Sequence, residues 1–226
     1  MEEAESLTEE TVVILTAVAA RMSKLPYAEP QEETRIMALE LIRKVLDKNP
    51  KLFISISDKI CTMLAALLED ANPDMKTLAA AFATALALEE QVKAGKYFRE
   101  TIAKLTLNLQ HNHSKVRKAT LLALKEVVAA KGAETHADLP LAQLKQNCND
   151  RSSDVRKTLY FDLLPHWLTN VEFETLKIIE KDLIQLLLNG IADEIPEISL
   201  KALATLEEYG KNMREALKAQ GEAMEQ

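Results

Sequence analysis

Only a few residues of this sequence are of types that carry out nucleophilic, acid–base or metal chemistry. The histidines and cysteines are His111, His113, His136, His166, Cys61 and Cys148. His111 and His113 are spaced like a metal-binding pair, but no third ligand is predicted near them, and structural zinc sites use four ligands. Cys148 and His166 are a conceivable nucleophile and base, yet Cys148 falls on an apolar helical face, which favours core packing. The sequence also lacks the catalytic and phosphate-binding motifs of common enzymes. It therefore predicts no enzyme, no cofactor and no metal site.

The segment around Asp162 and His166 is the other candidate for chemistry. Pro165 lies between these two residues and removes a helical hydrogen bond, which predicts a kink. In a structural interpretation, Asp162 accepts a hydrogen bond from Arg156 or Arg117, and His166 packs near the end of the helix. In the alternative interpretation, the kink exposes aromatic side chains as a protein-binding patch. The aromatic candidates are Tyr160, Phe161 and Trp167.

Composition indicates the kind of scaffold that holds these residues. The 226 residues include 5 Gly, 7 Pro, 5 Phe, 4 Tyr and 1 Trp, whereas average usage would give about 16 glycines and about 11 prolines. So few turn residues argue against a sandwich, a barrel or a Gly-rich nucleotide fold, and favour an all-α protein.

Charge and hydropathy restrict the class of partner and the cellular compartment that we expect for this protein. The net charge of -7 argues against a nucleic-acid partner. The longest apolar run, 78–88, is far shorter than the roughly 20 residues that a membrane span needs, and the glutamate-rich start is unlike a signal peptide. Two cysteines without a CxxC motif fit a reducing compartment. We expect a soluble, cytoplasmic protein whose partners are proteins.

Prolines and glycines divide the chain into helices. Proline is tolerated in a first helical turn, and glycine suits the residue after a helix end. The predicted helices are 8–24, 31–48, 51–69, 73–91, 95–110, 113–131, 138–149, 153–169, 172–189 and 195–210. The connections are short, so consecutive helices should be antiparallel neighbours.

Every second helix begins with the same pattern, which defines an internal repeat. Its register residues are Thr34, Met75, Val116, Val155 and Ile198, which are 41, 41, 39 and 43 residues apart. A basic residue follows the first four, and an acidic residue lies five places before most of them. Because an acid ahead of a helix accepts free backbone N–H groups, we expect each base to reach the acid of the adjoining unit. This structural ladder consists of Arg35, Lys76, Arg117, Arg156, Asp70, Asp150 and Asp193.

The repeat resembles HEAT repeats, in which two antiparallel helices form a unit of about 40 to 47 residues. The clearest matches are HNHSKVRKA (111–119) and DRSSDVRKT (150–158). The resemblance implies an α-solenoid of about five helix pairs in a right-handed superhelix, with the second helices on the concave side. The predicted units are 8–48, 50–91, 95–131, 138–169 and 172–210, within a single domain over 8–210. An acidic tail (1–7) and a polar extension (211–226) flank it.

The third unit carries an excess of positive charge. Residues 113–131 contain five bases and one acid, Glu126. Such a run usually marks a solvated helix face. The sharper hypothesis is that an acidic peptide docks across the third and fourth units, because complementary charge guides encounter. The candidate binding residues are Lys115, Lys118, Lys125 and Lys157.

The second half of the chain shows a narrower resemblance. It contains, in order, HNHSKVRKAT, NDRSSDVRK, LPHWL, KDLIQLLLNGIADEIPEISLKA and EEYGKNMREALK. This order is similar to the HEAT-repeat axonemal dynein assembly factor family, and DEIPEI (193–198) is its most specific part. The resemblance implies a non-enzymatic cytoplasmic scaffold that, with chaperones, helps preassemble dynein arms for cilia or flagella. A general HEAT-repeat adaptor of transport, phosphatase or chromosome complexes is the alternative, since fold does not define function.

Overall fold

The computed structural model describes residues 2–130 and 139–224, which form helices joined by short loops and contain no strand. The α-helices are α1 (Glu2–Arg21), α2 (Glu32–Lys48), α3 (Ser57–Leu67), α4 (Pro73–Leu88), α5 (Arg99–Asn108), α6 (Ser114–Ala129), α7 (Leu141–Asn147), α8 (Ser153–Lys157), α9 (Leu164–Asn170), α10 (Phe173–Ile191) and α11 (Pro196–Met224). A π-helical segment, Thr158–Leu163, joins α8 to α9 without a break. We call this continuous helix the unit 4 helix.

The helices pack in two layers. Helices α1, α3, α5, α7 and α10 are the first helices of five units, and α2, α4, α6, the unit 4 helix and α11 are the second helices. In the layer of second helices, α4 packs against α2 and α6, and α11 packs against the π segment. In the other layer, α3 packs against α1 and α5. This is the all-α solenoid that the repeat predicts. The right-handed twist and the concave position of the second helices stay predictions.

One apolar face of each second helix contributes to the core, which residues of the first helices complete. In α6 the register residue and the residues 4, 7, 8 and 11 places after it are buried, namely Val116, Thr120, Ala123, Leu124 and Val127. The equivalent residues of α4 are also buried, namely Met75, Ala79, Phe82, Ala83 and Leu86. The register position, +4, +7, +8 and +11 lie on one side of an α-helix, so each of these helices buries a single face.

Short 3₁₀ segments replace the starts of two predicted helices. Segments Pro50–Phe53 and Ala94–Tyr97 precede α3 and α5, where 51–69 and 95–110 were expected to be single helices. Such tight turns are common at helix ends and in connections. At α4 the prediction is confirmed more closely, because Pro73 opens the helix and the Asn72 side chain accepts the Asp74 N–H at 2.7 Å.

The two outer helices are longer than predicted. Helix α1 begins at Glu2 and α11 ends at Met224, so 2–7 and 211–224 continue these helices, and the division into a domain, a tail and an extension stays a prediction. These segments are rich in strong helix formers such as Ala, Glu, Lys and Met. Gly210 does not end α11, because a glycine within an exposed helix costs only about 1 kcal/mol. The expected break at Gly132 lies outside the described residues, as do Lys131 and His136.

Candidate protein-binding site

Three buried arginine–aspartate pairs join successive units at equivalent positions. They are Arg35 with Asp70 at 3.0 Å, Arg117 with Asp150 at 2.6 Å and Arg156 with Asp193 at 2.7 Å. In each pair both side chains are at most 8% exposed. The predicted ladder is confirmed at these three positions. A buried pair of this kind tolerates poorly the loss of one partner, because the remaining charge is left without compensation.

Each pair is also held by the loop between two helices. Arg117 donates from Nη1 to the carbonyls of His111 and Asn112, and Arg156 does the same to Asp150. Asp150 in turn accepts the Ser152 backbone N–H at 2.8 Å. Burial opposes ionisation of Asp150, but the hydrogen bonds from Arg117 and from the Ser152 N–H hold the pKa of its carboxyl below the ordinary value.

The position between the second and third units lacks a carboxylate. Lys76 donates to the Leu68 carbonyl at 2.9 Å and to Asn108 Oδ1 at 3.0 Å, so its partner is an amide and not an acid. His111 occupies the place of the aspartate and accepts the His113 N–H through Nδ1 at 3.1 Å. Burial, followed by the charge of Lys76, lowers the pKa of His111. The expectation that Lys76 reaches an acid is therefore wrong, because the third unit supplies His111 and Asn108 there.

The two end units do not continue the ladder outward. The acid of the first unit, Glu29, pairs with Arg21 of its own unit at 3.0 Å. In the last unit Ser199 stands where the other units have a base, and its hydroxyl donates to the Ile191 carbonyl at 2.7 Å. The ladder thus connects the five described units to one another.

Ion pairs occupy most of the lysines predicted to bind an acidic peptide. Lys115 pairs with Asp74 of the second unit, and Lys157 pairs with Glu197 of the fifth unit at 2.6 Å. Lys125 pairs with its neighbour Glu126 at 2.9 Å. Lys118 is exposed and has no ion pair within the described residues. An acidic partner would compete with three internal carboxylates, and the docking hypothesis stays a prediction.

Two of the three aromatic residues predicted to form an exposed patch are buried. Tyr160 and Trp167 are both 0% exposed. The Tyr160 hydroxyl donates to the Leu186 carbonyl at 3.2 Å, and Trp167 Nε1 donates to the Leu124 carbonyl at 3.3 Å. The patch prediction is wrong for both residues, because their rings fill the contacts between units. Phe161 remains partly exposed, with Lys201 Nζ 5.9 Å from its ring centroid.

The π segment explains why the aromatic prediction fails. The Leu164 N–H donates to the Leu159 carbonyl five residues earlier, which gives the wider turn of a π-helix. In α6 the buried positions after the register residue include +7, +8, +11 and +12, whereas in the unit 4 helix they are +8, +9, +12 and +13. The segment therefore acts as a one-residue insertion. It also lies directly ahead of Pro165, whose ring disfavours a regular α-turn.

Asp162 is the residue that this shift moves out of the core. It occupies position +7, which is Phe82 in α4 and the buried Ala123 in α6, but Asp162 is partly exposed. The predicted bond from Arg156 or Arg117 is not formed, because these arginines bind Asp193 and Asp150. No hydrogen bond or ion pair of Asp162 occurs within the described part of the chain.

Asp162 lines a groove between the π segment, α9 and α11, with a volume of about 350 Å³. We call it the unit 4/5 groove. Its lining includes Phe161, Asp162, His166, Thr205, Glu208 and Tyr209. Thr205, Glu208 and Tyr209 were not predicted from the sequence as site residues. Thr205 had a detectable signal, because it lies at the same +7 position of the fifth unit as Asp162 in the fourth.

Hydrogen bonds fix several walls of the unit 4/5 groove. The Tyr209 hydroxyl donates to Glu180 Oε1 at 2.8 Å. His166 Nε2 lies 3.5 Å from Glu126 Oε2, and Asn170 Nδ2 donates to the His166 carbonyl at 3.0 Å. Burial lowers the pKa of His166, although Glu126 opposes the shift. The lowered pKa favours the neutral imidazole, and the unpaired charges facing the groove are the carboxylates of Asp162 and Glu208.

The other residues considered for chemistry do not converge on a reactive centre. Cys61 and Cys148 are buried, and burial raises the pKa of both thiols, that of Cys61 to about 12. The rings of His111 and His113 lie 5.5 Å apart. Within the described residues no group of three or more His, Cys, Asp or Glu side chains is placed to hold a metal ion. In residues 2–130 and 139–224 no helix has the length and apolar character to cross a membrane.

Solved structures similar to this chain are armadillo-type repeat solenoids, which agrees with its all-α solenoid fold. One is described as "Designed armadillo repeat protein YIII(Dq)4CqI", with 15% identity, a TM-score of 0.50, and coverage of 85% of this chain and 98% of that chain. Another is a designed armadillo repeat protein in complex with the peptide (KR)4, with 16% identity, a TM-score of 0.52 and coverage of 89% and 92%. At this identity the likeness shows the fold alone.

A family model matches residues 1–217 and is described as "Dynein axonemal assembly factor 5-like, TPR repeats". The chain belongs to this family. Its repeat period of 39 to 43 residues is longer than the 34 residues of tetratricopeptide units and fits HEAT or armadillo units. No curated protein sequence matches the chain.

Proposed function

We propose that this protein is a non-enzymatic scaffold that assists the preassembly of axonemal dynein arms in the cytoplasm. The observation that carries the proposal is the family match over residues 1–217. A repeat solenoid supports it physically, because stacked units present an extended surface on which a partner polypeptide can lie. The peptide bound by a similar designed solenoid supports the same mode of binding.

The buried ladder fits a scaffold. Three arginine–aspartate pairs and the Lys76–Asn108 contact fix each unit to the next, so the relative positions of surface side chains are defined along the stack. Such preorganisation lowers the ordering cost when a long partner binds.

Affinity capture from the cytoplasm of a ciliated cell tests the proposed function. The bait is the full chain, and the matched control bait is a designed armadillo repeat protein of similar length. We expect axonemal dynein chains and chaperones to be enriched on this protein over the control. Enrichment of importins, phosphatase subunits or condensin components in their place would contradict the proposal and favour a general adaptor.

A further inference from the structure

The unit 4/5 groove carries negative charge that no internal base neutralises. Asp162 and Glu208 line it, and neither forms a hydrogen bond or ion pair within the described part of the chain. The nearest lining base, Lys125, is already paired with Glu126 at 2.9 Å. Lys201 lies near Phe161 without an ion pair to either carboxylate. Elsewhere in the stack acids opposite a neighbouring unit are paired, as Asp150, Asp182 and Asp193 are.

A second observation at the same place does not depend on charge. Thr205 is 6% exposed, and its hydroxyl has no hydrogen-bond partner. Thr205 belongs to the lining of the groove. A buried hydroxyl without a partner costs about 1–3 kcal/mol, so this wall of the groove contains a polar group that the fold leaves unsatisfied. The groove therefore offers carboxylate oxygens to an incoming donor, next to a wall that holds an unpaired hydroxyl.

The volume of the groove and its aromatic residues restrict the occupant to a single side chain. A volume of about 350 Å³ is near the lower end for ligand pockets, so it admits a side chain and not a whole helix. Phe161 and Tyr209 supply apolar ring surface beside the carboxylates. A guanidinium group matches this combination, because it binds carboxylates in a planar fork, stacks on aromatic rings and is weakly hydrated.

We propose that the unit 4/5 groove binds an arginine side chain of a partner polypeptide. Asp162 accepts hydrogen bonds from the guanidinium group, Glu208 at the rim adds attraction, and the ring of Phe161 packs against the planar group. The site arises from the π segment, because the one-residue shift takes Asp162 out of the core and opens the space beside Pro165. The inference rests on the proposed function only in that the occupant belongs to a protein partner.

A titration with a defined peptide tests the site in the purified full chain. The probe has five residues, with one arginine between glycines and serines and both ends blocked. Matched probes carry citrulline, which is neutral and of the same shape, or lysine in place of the arginine. Binding is followed by the backbone amide NMR shifts of the ¹⁵N-labelled protein. We expect saturable shifts around Phe161, Asp162, Thr205 and Tyr209 with the arginine peptide, and at least about tenfold weaker binding of the citrulline peptide.

Two variants that each remove one negative charge distinguish peptide binding in the groove from non-specific electrostatic attraction to the protein. Asp162→Asn removes the proposed acceptor charge with almost no change of shape, and Asp154→Asn removes an exposed charge of α8 outside the groove. We expect about tenfold weaker arginine-peptide binding for the first and less than twofold for the second. Equal binding of the arginine and citrulline probes, equal binding of lysine, or unchanged affinity of a folded Asp162→Asn protein would each overturn the proposal. None of these results depends on dynein preassembly, so the two proposals fail separately.

Discussion

Helix α6 and the unit 4 helix begin alike and end differently. Both carry a register valine followed by an arginine in their first turn, and both arginines pair with an aspartate of the next unit. After one further turn α6 stays regular, whereas the unit 4 helix passes through the π segment and buries residues one position later. The buried arginine–aspartate pairs of these two helices therefore lie in the first turns. The second half of a helix can change which side chains face outward without disturbing those contacts.

The largest effect is expected when the same residue is placed at position +7 of both helices, which tests whether the two positions differ in burial. Ala123→Asp puts a carboxylate at a 0% exposed site in α6. We expect it to lower the free energy of unfolding by about 4 kcal/mol or more, because an unpaired charge is buried. Asp162→Ala at the equivalent position should change it by less than about 1 kcal/mol. Urea denaturation followed by circular dichroism measures both.

Ala123→Asn is the control for size at the α6 position, and it should be destabilising by less than Ala123→Asp. A similarly large decrease in the free energy of unfolding for Asp162→Ala would contradict the view that Asp162 lies outside the core without a partner, because it would mean that Asp162 has a stabilising partner in the fold.

A smaller effect is expected where the unit 4 helix meets α10. A Cβ atom at Gly190 would overlap three ring atoms of Tyr160. Tyr160 lies at position +5, which is Leu121 in α6. Gly190→Ala should therefore destabilise the chain by about 2 kcal/mol through overpacking, as measured by denaturant unfolding.

The double variant Gly190→Ala with Tyr160→Leu tests the cause. Because leucine is the α6 residue at this position, we expect the pair to cost less than the sum of the single changes. Strict additivity of the two changes would show that the glycine is required for another reason.

The repeat, the helix order and three ladder pairs could be predicted from the sequence because they depend on local spacing. The register residues recur at similar intervals, and arginine and aspartate have few other ways to be buried. The burial of Tyr160 and Trp167 could not be predicted in the same way. It depends on a π-turn in which one residue is inserted without any change in composition, and Pro165 indicated an irregularity but not its direction.

Only some of the residues that line the unit 4/5 groove could be predicted from the sequence, for a related reason. Asp162 is an acid at a repeat position that is apolar in α4 and α6, and His166 and Phe161 lie near it in sequence. Thr205, Glu208 and Tyr209 come from the next unit and meet these residues only through stacking. Their contribution depends on the tertiary contact between α11 and the π segment.

The smallest effect on stability is expected at the ladder position of the third unit. Asp150 and His111 occupy equivalent places, and each accepts a backbone N–H two residues later. His111→Asp should keep that bond and add a negative charge near Lys76 and Arg117, which are among the charges that now lower the pKa of His111. We expect about 1 kcal/mol of added stability at pH 7 from the stronger cap and the new attraction.

The pH dependence of this variant separates its two causes. Because the pKa of His111 is lowered in the fold, the unfolded chain binds the proton more readily, and the wild-type protein loses stability as pH falls below about 6.5. His166 adds a slope of the same sign that all variants share. His111→Asn keeps an acceptor without charge, so it should reduce the slope as His111→Asp does but without the full gain at pH 7. Equal unfolding free energies for the Asn and Asp variants at pH 7 would show that the missing carboxylate does not weaken this position. A gain confined to the Asp variant would show that it does.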